Sequence, residues 1–135
     1  MKNNMMKSLV NGITTIAGVK VVNTTPHAVT MCNADLSVIA TVDPCGSLIN
    51  ATAVATPVDS NISGVKYQKT GFNADPDTMK VLQDFKDCYP DVVIIGSLIA
   101  AQAYPGIVAA MVAHPDFMRV APQDKKMLID TYTIY

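Results

Sequence analysis

The sequence predicts an α+β fold: a mainly antiparallel sheet of short strands, two or three helices on one side of it, and an amphipathic helix ahead of it. Three observations lead there. Short β-branched runs are broken every few residues by Pro, Gly, Asn and Asp, the residues of turns. One stretch, Asp75 to Tyr89, carries a helix-start signature. Another, Asp91 to Ile95, is continuously apolar after its first residue, as a strand buried on both faces must be. With 135 residues, no internal repeat and no linker, the chain reads as a single domain over 20–135 preceded by a helical arm over 1–19.

In the arm, Met5, Met6, Leu9, Val10, Ile13 and Ile16 recur at steps of three and four and so share one helical face. Gly12, Thr14 and Thr15 weaken this helix, and Gly18 ends it. Its apolar face needs a partner, either its own domain or a neighbouring subunit. Strands over Lys20–Asn23 and Ala28–Cys32 flank the stretch around which the chain is organised, Asn23-Thr24-Thr25-Pro26-His27. Pro26 fixes φ, lacks a donor and drives Thr25 from the helical region, so this is an edge, a bulge or a bend between two strands. Asn33-Ala34-Asp35 turns into a strand over Ser37–Val42, and Asp43-Pro44-Cys45-Gly46 turns into another over Leu48–Thr56. A loop over Pro57–Ser63 leads to an amphipathic strand over Val65–Thr70.

The helix over Pro76–Tyr89 has Asp75 as N-cap and Pro76 at its first position, with Asp77 complementing the positive helix end. Met79, Leu82, Phe85 and Tyr89 form its buried stripe, and Pro90 stops it. After the apolar strand, Ser97 caps a short helix over Leu98–Tyr104 that Pro105-Gly106 ends. Ile107–Ala113 fits either a helix or a strand. His114-Pro115-Asp116 then turns into a last hairpin of Phe117–Ala121 and Met127–Ile134.

Half the residues are hydrophobic and 16% are charged, too little charge to keep a small monomer apart from its copies. A homo-oligomer is expected, a dimer or a higher assembly such as a hexamer. The net charge of −1, carried with nine scattered Lys and the single Arg119, argues against duplex nucleic acid as a partner. Cys32, Cys45 and Cys88 are odd in number, form no Cys-Xaa-Xaa-Cys pair and have no ligand spacing to His27 or His114. That argues against a structural zinc and for free thiols in a reducing cytoplasm. No run approaches the ~18–20 apolar residues of a membrane span. Lys2 and Lys7 before Leu9–Ala17 imitate a signal peptide, but polar residues interrupt its core. A soluble, cytoplasmic protein is expected, with no membrane partner.

Several side chains are candidates for chemistry. Ser97, at a strand-to-helix turn, either caps its helix or helps that helix start bind a phosphate; the full nucleophile-elbow pattern is absent. His27 is a general base or a hydrogen-bonded structural residue. Arg119 offers a planar fork for two phosphate oxygens, or else forms a surface ion pair. Tyr67, Phe72 and Tyr104 are aromatics near loops that either cover the core or stack on a nucleobase. Phe72 is the best placed for stacking, with Asn73 beside it to read a base edge and Lys66 and Lys69 to supply positive charge. No Walker loop, dinucleotide fingerprint or His-Glu-Xaa-Xaa-His motif occurs, and no cofactor or metal is implied.

The segment Asn23–His27, the Pro44-Cys45-Gly46 turn, the apolar strand running into Ala-rich residues over Val92–Ala103, and Arg119 ahead of an Ala-Pro turn and a last hairpin together resemble the Thoeris anti-defence 1 proteins of phages. The resemblance spans residues 20 to 135. The first 17 residues look like an addition, and Gly106–Asp116 is longer and more apolar than in those proteins. The resemblance implies a sponge in the cytoplasm of the infected bacterial host. It would sequester a cyclic ADP-ribose-type immune signal such as glycocyclic ADP-ribose, and related cyclic oligonucleotides, without cleaving it, and would thereby serve immune evasion. It strengthens Arg119 as a ligand contact, because those proteins keep an Arg in the corresponding C-terminal strand; Phe72, Asn73, Thr25, His27, Ser97 and Lys66 are the other expected ligand contacts, with no catalytic residue. The alternatives are a nucleotide-degrading enzyme using His27 or Ser97, and a phage structural or assembly protein that binds no nucleotide.

Overall fold

The structure, a computed structural model, describes residues 2–49 and 51–135. Among these residues the chain forms α1 (Lys2–Asn11), β1 (Thr14–Ile16), β2 (Val19–Asn23), β3 (Val29–Cys32), β4 (Ile39–Val42), β5 (Ala51–Val58), β6 (Tyr67–Ala74), α2 (Pro76–Cys88), β7 (Val92–Gly96), α3 (Leu98–Ala103), β8 (Val108–Ala113) and β9 (Met127–Thr133). The fold is α+β. The ladders β1–β2, β3–β4, β5–β6 and β8–β9 are antiparallel, and β2–β7, β7–β8 and β3–β9 are parallel.

Seven strands lie in the order β1-β2-β7-β8-β9-β3-β4. The two ends of this sheet come together. Asn23, at the end of β2, forms a parallel bridge with Pro44 just beyond β4, and the Cys45 N–H donates to the Asn23 carbonyl at 2.8 Å. The sheet therefore curls into a small barrel, and strand alternation divides the core in two. Val21 and Ile95 face inward with Ile16, Met31, Val42 and Ile129. Their chain neighbours Val22 and Ile94 face outward, where Leu9, Val81, Leu82, Phe85 and Tyr104 cover them. All three helices thus lie on one side.

Local chemistry explains the elements. Asp75 accepts from the Thr78 N–H and hydroxyl, both at 2.9 Å, and so caps α2. The Tyr89 N–H bonds the Phe85 carbonyl at the other end. Ala17 and Gly18 both have positive φ, 50° and 83°, in the two-residue turn that joins β1 to β2, the conformation that matches strand twist. Gly96 is required by packing, because a Cβ there would lie 2.5 Å from Val108 Cγ1.

The structure corrects several sequence expectations. The first helix ends at Asn11, and residues 14–16 are a strand, where the β-branched Thr14, Thr15 and Ile16 pair with β2. Leu9 is fully buried and α1 packs on α2, so the helix lies on its own domain. Ile107–Ala113 resolves as a strand. Pro57 lies within β5 and not in a loop, and Phe72 and Asn73 lie in the body of β6. The last hairpin is absent: Pro115 and Pro122 each start a single-turn 3₁₀ helix, over Pro115–Phe117 and Pro122–Asp124. Phe117–Ala121 is therefore not a strand, and β9 pairs with β8 and β3 instead. Among the described residues no helix is long and apolar enough to cross a membrane.

Candidate functional site

The segment that crosses from β2 to β3 is built on Asn23, which is wholly buried. Its amide donates to the His27 carbonyl at 2.8 Å and to the Val42 carbonyl at 3.1 Å. Its carbonyl accepts from the Thr25 N–H at 2.9 Å and from the Thr25 hydroxyl at 2.6 Å. Thr24 anchors the same segment to the next strand, its hydroxyl donating to the Ile95 carbonyl at 2.6 Å and its N–H to the same oxygen at 2.9 Å. One side chain thus clasps β2, the Pro26 bend and the end of β4. The bend carries Pro26 and His27 outward into solvent.

Directly beyond this bend lies a cavity of about 230 Å³, lined by Ala28, Val29, Thr30, Met111, Pro122, Gln123, Lys125 and Met127. It has three kinds of wall. Val29, Met111 and Met127 are apolar, Thr30 and Gln123 offer a hydroxyl and an amide, and Lys125 brings positive charge. The Lys125 amine reaches the Met118 carbonyl at 3.4 Å, which ties the wall to the turn that carries Arg119. Arg119 is exposed and makes no ion pair or hydrogen bond among the described residues. A second hollow of about 450 Å³, lined by Asn11, Gly12, Thr14, Thr41, Asp43, Pro44 and Cys45, has an acid and no cation, and so disfavours an anion.

The expected site residues divide into three groups. Thr25 and His27 lie on the bend beside the cavity, and Arg119 lies on the loop that walls it. Ser97 sits at the end of β7, and its hydroxyl accepts from the Ala100 N–H at 3.1 Å, so it caps α3. Phe72 and Asn73 stand apart from the cavity: Phe72 packs against the helix side of the core, at the foot of the β5–β6 hairpin. Lys66 precedes β6 at the far end of that hairpin and is exposed. Tyr104 is fully buried, and its hydroxyl accepts from the Asp75 N–H at 2.9 Å, a structural role. His114 is buried, with Nε2 2.7 Å from the Ala34 carbonyl and Nδ1 accepting from the Asp116 N–H.

Sequence reasoning missed Lys125, Gln123 and Thr30. Lys125 had a signal, as a cation in the same loop as Arg119. Thr30 and Gln123 had none, because only the placement of β3 beside the loop brings them together. Among the described residues no group of three His, Cys, Asp or Glu could hold a metal ion.

Near this wall the barrel contains one discordant group. The Tyr132 hydroxyl is buried and has no hydrogen-bond partner among the described residues. Burial, helped by the nearby Asp130 carboxylate, pushes its pKa up to about 12. The folded state therefore holds this proton more tightly than the unfolded chain does. Stability is unaffected below the ordinary tyrosine value and falls as pH rises from there towards about 12. Tyr132→Phe removes the unpaired hydroxyl and is expected to stabilise the fold by ~1 kcal/mol or more. Urea denaturation at roughly neutral pH and again above roughly pH 10 checks both points, since the variant should lose part of the alkaline destabilisation.

Compared with known proteins, the chain matches no family model, no curated protein and no solved structure.

Proposed function

We propose that this protein is a phage anti-defence sponge, a homo-oligomer that holds a cyclic ADP-ribose-type signal, such as glycocyclic ADP-ribose, in the cytoplasm of the infected host without cleaving it. The observation that carries the reading is the make-up of the cavity wall. A cation, an amide, a hydroxyl and two methionines suit a phosphorylated ligand with a flat, apolar base. The resemblance of Asn23–His27 and Arg119 to the Thoeris anti-defence 1 proteins supports the same ligand class. Ser97 is engaged as a helix cap, and His27 points into solvent from the bend, which favours binding over turnover.

The volume has a consequence. Ligand sites usually occupy ~300–1,000 Å³, more than the 230 Å³ here. A dinucleotide-sized ligand would fill the cavity with one part and need a second copy of the chain to cover the rest. Sequestration of a signal by micromolar protein needs a roughly nanomolar Kd, about 12 kcal/mol, and enclosure between subunits is a route to it.

The test is incubation of purified protein with glycocyclic ADP-ribose and a panel of cyclic oligonucleotides, followed by heat release and mass spectrometry. Intact ligand recovered in stoichiometric amounts supports the sponge, and converted ligand overturns it in favour of an enzyme. If nothing stays bound, the protein is an assembly factor, a reading that its exposed hairpin favours. Lys125→Ala and Arg119→Ala are each expected to weaken retention roughly tenfold, about 1.4 kcal/mol, and more so at low salt, with thermal stability unchanged.

A further inference from the structure

The β5–β6 hairpin is a feature that a folded monomer leaves unexplained. Among the described residues its two eight-residue strands pair only with each other, as a sheet separate from the barrel. Only its foot is covered, where Ala51, Phe72 and Ala74 touch the helix side of the core. Beyond that foot both strands are exposed, together with the turn between them except the half-buried Ser60. Val54, Val58, Ile62, Val65 and Tyr67 are 39–50% exposed. An isolated two-stranded hairpin is marginal in water, and each strand is about 27 Å long at ~3.4 Å per residue. Such an arm needs a partner.

The two edges of the arm differ. β6 is the strand that α3 packs along, while β5 touches α3 less. The β6 side also carries Lys66, just ahead of the strand, and Lys69 within it, so pairing β6 with itself would place like charges along the new seam. β5 reads Ala-Thr-Ala-Val-Ala-Thr-Pro-Val, with no charge anywhere along its length. Proteins ordinarily guard a free edge with Lys, other charges or a short strand. β5 has only Pro57, near its far end. An uncharged antiparallel edge is self-complementary about a two-fold axis, which is the symmetry of the commonest oligomers.

From this we propose that the β5 edge is a docking surface for a second copy of this chain, pairing antiparallel with its own counterpart to give a four-stranded sheet β6-β5-β5-β6. This deepens the self-association in the proposed function and rests on it, but it does not depend on the ligand. Residues that face each other across strands share a face, so the two-fold axis must pass through a residue position. With the axis at Val54, each Thr52 faces Thr56 of the other copy, a favourable cross-strand pair, and the lysines lie on the outer strands. Val54 and Val58 share one face of the hairpin with Thr52 and Thr56 by register, and with this axis each Val54 packs on its own counterpart at the centre of the pair.

The experiment is sedimentation velocity on the full chain, with Val54→Lys as the variant. Val54 is 39% exposed and lies outside both hydrophobic cores, so the variant should keep the thermal stability of its own subunit. The expected result is a self-associated wild type whose dissociation constant rises roughly tenfold or more in the variant, where two like charges face each other. A wild type that stays monomeric across the micromolar range overturns the self-association reading. A wild type that associates while Val54→Lys associates equally well overturns the β5 assignment alone. A second measurement fixes the register. In a Cys88→Ser background, Val54→Cys should form a disulfide-linked dimer on mild oxidation, because opposed residues of an antiparallel pair lie ~4.5–5.5 Å apart at Cα, within disulfide range. Absence of the cross-link in an associated protein rules out the axis at Val54.

Discussion

Asn23→Ala is expected to lower the unfolding free energy by about 4 kcal/mol, a large part of what a domain of this size has. The substitution leaves several groups without a partner. Asn23 makes four hydrogen bonds, two donated by its amide and two accepted by its carbonyl. At ~1 kcal/mol net each, the set contributes about 4 kcal/mol. The Val42 carbonyl lies next to a wholly buried side chain, so water cannot readily replace the lost donor. Asn23→Asp discriminates this account from simple loss of volume. A carboxylate keeps the two bonds from Thr25 but faces the His27 and Val42 carbonyls with no hydrogen to donate. Its pKa in the fold is expected to rise above the ordinary ~3.9. An acid whose folded pKa is raised binds its proton more tightly when folded, so this variant should gain stability as pH falls through that raised value. Chemical denaturation of both variants at neutral and acid pH gives the answer. A loss below ~1 kcal/mol in Asn23→Ala, or an Asn23→Asp variant with no recovery in acid, would show that the clasp is not what holds the bend.

The importance of this segment was legible before the structure, but its mechanism was not. Pro26 and the surrounding Asn and Thr residues announce a bend between two strands. Nothing in the sequence says that Asn23 also reaches Val42, because that contact exists only when β4 returns to β2. The same limit explains the C-terminal region. Phe117–Ala121 has the composition of a strand, yet Pro115 and Pro122 start local turns on either side and leave it no ladder to join. Where local signals agree, as with Asp75, Pro76 and the Met79-Leu82-Phe85 stripe, the element was readable almost to the residue. Where a residue's role depends on what packs beside it, sequence reasoning was split. None of the expected site residues lines the cavity: Thr25 and His27 lie on the bend ahead of it and Arg119 on the loop that walls it, whereas Phe72 is drawn away by β6 extending through Ala74 and turning its ring to the helices. Lys125 went unnoticed because a loop lysine is ordinary until a pocket opens beside it.

Phe85→Ala is the other change expected to cost the most, about 3–5 kcal/mol. Phe85 is fully buried on α2, with its ring 5.1 Å from that of Tyr89. It packs in the outer core with Leu82, Val92 and Ile94. Removing the ring leaves a void between the helix layer and the barrel wall, which close packing on both sides keeps from collapsing. The effect should not stay within the helix layer. The residues that face it, Val22, Val92 and Ile94, alternate along β2 and β7 with Val21 and Ile95 of the barrel interior, so the two cores share the same strands. A single transition is therefore expected, with the whole domain weakened by one helix substitution. Cys32 reports on the barrel independently, because it is fully buried in β3 and its burial pushes the thiol pKa up. In urea, loss of helical circular dichroism and exposure of Cys32 to an alkylating reagent should coincide in the wild type and shift together in Phe85→Ala. If Cys32 stays protected after the helical signal is gone, the barrel stands without its helices and the two cores are separate folding units.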